Sequence, residues 1–225
     1  MKKHLSLSSA SIKLIAVATM FLDHVGMLFF PEQLLLRIAG RISFPLFAFL
    51  IAEGFEKTSD VKKYLGRLLT FAVISQIPYS IILQASGLSP ARLNIFFTLA
   101  AGLLALILIR RLSPWYSFTS VVLLLLIAEF FPFDYDGYGI LTVLASSMFL
   151  RFRAAGSLLL VCLPLFRTIA QFFSGLLSLQ LYATLSIPII ALYNGERGAK
   201  LPRQFFYWFY PVHLLFLVFI WYFIQ

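Results

Sequence analysis

Charge is scarce in this chain. Asp, Glu, Lys and Arg make up 12% of the 225 residues, 61% are hydrophobic, and the mean hydropathy is +0.93. A soluble domain carries roughly 25% charged residues. No stretch is polar enough or long enough to be such a domain, so the whole of 1–225 reads as one membrane domain. Cysteine is reduced to Cys162, which excludes an internal disulfide and any cysteine-spaced metal site. In the run Leu158–Leu165 that residue reads as a small buried apolar side chain rather than a nucleophile. A small-residue cleavage site is also lacking. Met1-Lys2-Lys3-His4 ahead of an apolar run mimics a signal peptide, but Asp23-His24 interrupts the run, so an uncleaved first span is expected. Internal repeats and low-complexity segments are absent.

What remains is a series of apolar runs near the length that crosses a bilayer as a helix. Their limits predict an all-α, polytopic helical bundle with about nine spans, at 11–30, 34–55, 61–84, 93–109, 115–132, 138–150, 155–173, 177–193 and 205–224. The net charge of +9 arises mostly at segment ends, with no basic–aromatic motif, so it speaks for orientation and against nucleic-acid binding. Fourteen of the eighteen basic residues fall on one set of ends: Lys2, Lys3 and Lys13; Lys57, Lys62, Lys63 and Arg67; Arg110 and Arg111; Arg151 and Arg153; Arg197, Lys200 and Arg203. The positive-inside rule then puts the N-terminus in the cytoplasm and the C-terminus outside. Trp115-Tyr116 and Trp221-Tyr222 fall at the expected interfaces.

Against this apolar background Asp23 and His24 sit together in the first span, with Arg37 and Arg41 in the second. An ionisable group in hydrocarbon costs at least about 2.5–3.5 kcal/mol unless it is paired or faces a wet cavity. Asp23 lies nine residues before Glu32 and Arg41 nine after it, so the two are level in an antiparallel hairpin and predict an ion pair. Neighbouring positions on a helix point about 100° apart, so His24 needs a different partner. Pro45 frees the backbone carbonyl of Arg41. Pro78 does the same beside Gln76 and Tyr79, and Pro211 beside Tyr210 and His213. His213 lies at a depth close to that of His24, so several spans converge on one polar cavity.

Other charges have plainer readings. Glu129 and Arg167, at matching depths, are expected to pair structurally. Glu53 is expected to form a surface i,i+4 pair with Lys57. Lys62, Lys63 and Arg67 open the third span. Their spacing alone favours orientation signalling or anionic lipid, and the functional alternative is a site for the phosphates of a cytosolic cofactor.

Several blocks of the sequence resemble the TraX family of integral membrane proteins. They are Ile12 to His24 with its Asp-His end, Ala39-Gly-Arg-Ile-Ser-Phe-Pro, Ser75-Gln-Ile-Pro-Tyr, Leu93-Asn-Ile-Phe-Phe-Thr-Leu, Asp136-Gly-Tyr-Gly-Ile-Leu and Phe209-Tyr-Pro-Val-His-Leu. The resemblance runs from the first span to the last. It implies an acetyltransferase of the kind that acetylates a pilin N-terminus, distantly similar to multi-span acyltransferases of surface sugars. It implies acetyl-CoA as donor, with His24 as catalytic histidine and Lys63 and Arg67 as looser matches to basic residues that hold the cofactor; Lys62 joins them as a cofactor-binding candidate. Asp23, Arg41 and His213 join His24 as catalytic candidates. Asn94 and Tyr138 come from the matched blocks and join Arg37, Gln76, Tyr79 and Tyr210 as cavity candidates.

The residues are consistent with that chemistry. A neutral histidine can accept a proton from an attacking amine or hydroxyl, and Arg37 or Arg41 can orient Asp23 or stabilise an oxyanion. No metal is expected. The acceptor, a peptide amine or a glycan hydroxyl, is left open. Proton-coupled transport through Asp23, His24 and Arg41 is the alternative; the lack of an inverted repeat speaks against it. A purely structural assembly factor would not need so costly a buried cluster.

Overall fold

The computed structural model describes residues 6–175, 178–200 and 202–224, with Arg203 described by its backbone only. Lys2, Lys3 and the Arg203 side chain, which entered the charge argument, lie outside that description. The described residues form helices in the order α1 (Ser9–Phe29), α2 (Leu34–Lys57), α3 (Val61–Ala85), α4 (Ile95–Arg111), α5 (Pro114–Phe130), α6 (Asp136–Arg151), α7 (Arg153–Phe173), a 3₁₀ segment (Gln180–Leu185) running into α8 (Ser186–Ala191), and α9 (Arg203–Ile224). Two isolated parallel bridges, Leu7 with Tyr193 and Leu93 with Phe133, tie loops together.

The helix starts follow from local chemistry. Ser8 caps α1 through the amide of Ser11, Asp60 caps α3 through Lys63, and Asn94 caps α4 through Phe96. Each cap satisfies an amide that the helix cannot. Pro114 occupies the first turn of α5, where its missing N–H costs nothing.

Among the described residues α1, α2, α3, α7 and α9 are long and apolar enough to cross a membrane. The chain is a membrane protein. Helices α4, α5 and α6 span 17, 17 and 16 residues, about 25 Å at 1.5 Å per residue. The run expected to cross at 177–193 forms only the Gln180–Ala191 segment, well short of a core about 30 Å thick.

Helix α2 is the hub. It packs on α1, α4, α6, the 3₁₀ segment and α8, and it buries Phe44, Leu46, Phe49 and Phe55. Helices α5 and α7 lie at the rim and expose large apolar side chains such as Phe130, Phe166 and Phe172, as lipid-facing helices do. On α7 only Gly156, Leu160 and Pro164 are buried, a stripe of i, i+4, i+8. Cys162 lies two residues off that stripe and is exposed, contrary to the buried position expected.

Two charge pairings also differ from expectation. Depth fixes height along a helix but not the direction a side chain points, so Glu129 and Arg167 do not meet. Glu129 accepts from the Gly137 amide in the first turn of α6 at 3.0 Å, and Arg167 pairs with Asp136 at 2.9 Å. Glu53 does bridge Lys57 at 2.8 Å, but it is buried rather than at the surface. The start of α1 and the segment after α8 fold over it, and its Oε1 also accepts from the Ser9 and Tyr193 hydroxyls at 3.0 and 2.7 Å.

Candidate functional site

The site is built on the α1–α2 hairpin. Arg41 donates to both oxygens of Asp23 at 2.8 and 3.0 Å, as the equal distances from Glu32 require. Arg37, one turn nearer the start of α2, donates to Asp23 Oδ1 at 2.7 Å and to its carbonyl at 3.1 Å. The carboxylate is thus held by two guanidinium groups in charge-assisted bonds. Gly40 permits this closeness, because a β-carbon there would overlap the Asp23 side chain.

His24 points away from that triad, toward α9. Its Nδ1 lies 2.9 Å from the Met20 carbonyl and 3.2 Å from Nε2 of His213. His213 Nδ1 lies 2.7 Å from the Phe209 carbonyl. These partners fix the tautomers of the neutral pair. A carbonyl only accepts, so His213 carries its proton on Nδ1 and offers a lone pair at Nε2. His24 likewise carries its proton on Nδ1, shared between Met20 and His213. Its Nε2 is therefore a lone-pair nitrogen, with no hydrogen-bond partner among the described residues.

A cavity of about 50 Å³ lies here, lined by Asp23, His24, Ser43, Asp134, Tyr135 and Tyr210 together with Met20, Gly40, Phe44, Phe47 and Ile95. Asp23 is six residues from the end of α1 at Phe29, so the cavity lies in the half of the bundle away from the basic ends. The loop between α5 and α6 contributes Asp134 and Tyr135, and the Tyr135 ring stacks on Phe44 with centroids 3.9 Å apart.

A second, larger cavity of about 620 Å³ opens among the basic ends. Lys13, Lys57, Lys63, Arg67 and Arg197 line it against the two acids Glu53 and Asp60, with Tyr64, Phe206 and Tyr207 as aromatic wall. Nε of Arg67 is buried there without a hydrogen-bond partner among the described residues. Met20, Phe47, Ile95 and Tyr210 line both cavities, so these side chains stand between the basic vestibule and His24.

The structure separates the sequence candidates. Asp23, His24 and Tyr210 line the inner cavity. Arg37, Arg41 and His213 stand behind it, the arginines on Asp23 and His213 on His24. Lys63 and Arg67 line the vestibule, whereas Lys62 does not. Gln76, Tyr79, Asn94 and Tyr138 line neither cavity. Gln76 Oε1 accepts from the Asn94 amide and side chain at 3.1 and 2.9 Å, and Asn94 Nδ2 donates to the Ala72 carbonyl at 2.7 Å. Capping α4 and locking it to α3 occupies both side chains. The Tyr138 hydroxyl accepts from Gln180 at 3.0 Å, and Tyr79 donates to Asp134 at 2.8 Å.

Asp134, Tyr135, Lys13 and Arg197 were not foreseen as site residues. The first two lie in a short acidic loop and the others among the basic ends, where charge signals orientation. Asp134 forms no ion pair among the described residues. Burial raises its carboxyl above the ordinary carboxylate range, outweighing the Tyr79 hydrogen bond and the Arg41 charge. The unfolded chain ionises this group from about pH 4 upward. Wild-type stability therefore falls as pH rises from there to the raised folded value. Asp134→Asn keeps an acceptor for Tyr79 and removes that loss. Melting in detergent from pH 4 to 8 should show the variant gaining on wild type as pH rises; a constant difference would contradict the buried acid.

The profile of a family described as TraX protein matches residues 8–221. A probable fimbrial assembly protein FimC, serogroup H1, of Dichelobacter nodosus is 33% identical over 238 residues, covering 96% of this chain and 97% of the relative. Protein TraX of Escherichia coli is 26% identical over 213 residues, covering 90% and 83%. An uncharacterised Rickettsia prowazekii protein is 34% identical over 73 residues, 32% of this chain and 27% of its own. No solved structure matches.

Proposed function

Because this chain belongs to the TraX family, we propose that it is a multi-pass acetyltransferase of the bacterial cell membrane, moving an acetyl group from cytosolic acetyl-CoA to an amine or hydroxyl acceptor. The fimbrial assembly name of the Dichelobacter relative supports a pilin-like protein as acceptor, with a surface glycan as the other class. One observation carries the reading: a vestibule with five basic side chains shares four wall residues with a cavity lined by His24, whose Nε2 has no hydrogen-bond partner among the described residues. A donor with an anionic head, a long thin arm and a thioester at its tip fits that sequence of environments. In the proposed topology the basic ends face the cytoplasm, so the donor enters from the side on which it is made.

The chemistry needs no covalent enzyme intermediate. The acceptor's lone pair forms a bond to the thioester carbonyl carbon, and the proton it loses passes to His24 Nε2. The tetrahedral oxyanion collapses, the carbon–sulfur bond breaks, and the departing thiolate takes the proton. His213 holds His24 in the tautomer that leaves Nε2 free. Asp23 lies next to the imidazolium formed in the transition state and is itself held in place by Arg37 and Arg41. Those cations also contribute a fixed positive field toward the oxyanion without touching it.

The vestibule is tested by Arg67→Ala and Arg197→Ala. Loss of a hydrogen bond to a charged group costs about 1.5–3 kcal/mol. Each variant should therefore raise the apparent constant for acetyl-CoA about tenfold or more and leave turnover nearly unchanged, since the phosphates are held equally in ground and transition states. An unchanged constant in both would move the phosphate site elsewhere.

A further inference from the structure

The two cavities are set apart by side chains they share. Met20, Phe47, Ile95 and Tyr210 border both spaces and so stand between a vestibule of about 620 Å³ and an inner cavity of about 50 Å³; these four side chains are called the neck below. A thioester within reach of His24 Nε2 must carry its acyl group through that neck and lodge it inside. The inner space holds roughly three to five water-sized groups. An acetyl group and the acceptor's attacking atom fill about four such places, and a chain with several more methylenes has nowhere to go.

The walls do not yield easily. Phe44 is fully buried and stacked on Tyr135. Ser43 is tied to the Ala16 carbonyl at 3.0 Å, and Gly40 is pressed against Asp23. Close-packed interiors resist added volume.

We propose that this neck and cavity select the acyl group by length, admitting acetyl and excluding medium chains, with Met20 and Ile95 as the selecting side chains; the inference rests on the acyl-transfer reading above. Met20 lies one turn before His24 on the same face of α1, and only its backbone carbonyl is used by the histidine. Ile95 closes the neck from the first turn of α4. Both are apolar and buried, so shortening either changes the space at the neck and removes no hydrogen bond. In the transfer step the acyl carbon exchanges its bond to sulfur for one to the acceptor, and the acceptor's proton ends on the thiol. Chain length alters none of this, so selection shows as a pure steric ratio.

The experiment measures thiol release from acetyl-, butyryl- and octanoyl-CoA by the purified full chain in detergent, with hydroxylamine as the small acceptor. Binding of free CoA reports that each variant is folded. One misfitting methylene in an apolar pocket is worth about 10–200-fold. Wild type should therefore favour acetyl over octanoyl in kcat/KM by at least about 100-fold. Met20→Ala or Ile95→Ala should shrink that ratio about tenfold or more, and Ile95→Phe should lower acetyl turnover while free CoA still binds. Equal rates across chain lengths in wild type would overturn the selection and leave acyl transfer standing. An unchanged ratio in both alanine variants would overturn the assignment to Met20 and Ile95. No thiol release from any donor by a folded protein would remove the acyl-transfer reading and this inference with it.

Discussion

His24→Gln should lower acetyl transfer by about 10²–10⁴-fold, the usual contribution of a positioned general base. Glutamine keeps a hydrogen-bonding group of similar reach, and its amide can still serve His213, but it cannot take up the acceptor's proton. The variant should fold, and it should bind acetyl-CoA with unchanged affinity because the vestibule lies apart from His24. The wild-type rate should fall on the acid side as His24 protonates and its lone pair is lost; the residual rate of the glutamine variant should not follow that profile. Near-normal turnover in His24→Gln would make the histidine pair structural.

Asp23→Asn should be the most damaging change to folding. It leaves two guanidinium groups facing a neutral amide within a membrane helix pair. Breaking a buried ion pair from one side typically costs about 3–5 kcal/mol. The three side chains are 16–25% exposed, so the low end of that range is expected. Arg41→Gln in the Asp23→Asn background should recover part of the loss, because it removes one of the stranded charges. Melting temperatures of the two single variants and the double variant form the cycle; additive effects would show that the contact at 2.8 Å carries no coupling.

The α1–α2 hairpin was readable from sequence because a helix rises uniformly and the turn at Glu32 is short. Counting residues from that turn put Asp23 level with Arg41. The same reasoning put His213 near the depth of His24, and the contact formed. Counting failed wherever azimuth decided the partner: Glu129 turns to the start of α6, and Arg167 to Asp136. It failed again where a polar side chain serves the backbone, since Gln76 beside Pro78 and Asn94 look like cavity residues, yet Asn94 caps α4 and Gln76 holds Asn94 in place. Arg37 was legible as a buried charge, but that it shares Asp23 with Arg41 depends on Gly40, whose missing side chain sets the helix spacing. Asp134 and Tyr135 belong to a loop that folds back over the cavity. Arg197 reaches the vestibule because the segment after α8 pairs with the start of α1, through Leu7 with Leu192 and Asn194, Ser9 with Glu196, and Ala10 with Arg197. Contacts of that range leave no periodicity in the sequence.

The same buried Asp, His and Arg would also suit a proton pathway, so transfer and transport must be separated in one preparation. The direct measurement uses purified protein in sealed vesicles, acetyl-CoA labelled in its acetyl group, hydroxylamine as acceptor, and a pH-sensitive dye inside. Label should move to the acceptor with one free thiol released per acetyl group, and the interior pH should hold steady under an imposed gradient. Proton flux that depends on His24, without transfer of label or release of thiol, would contradict acyl transfer.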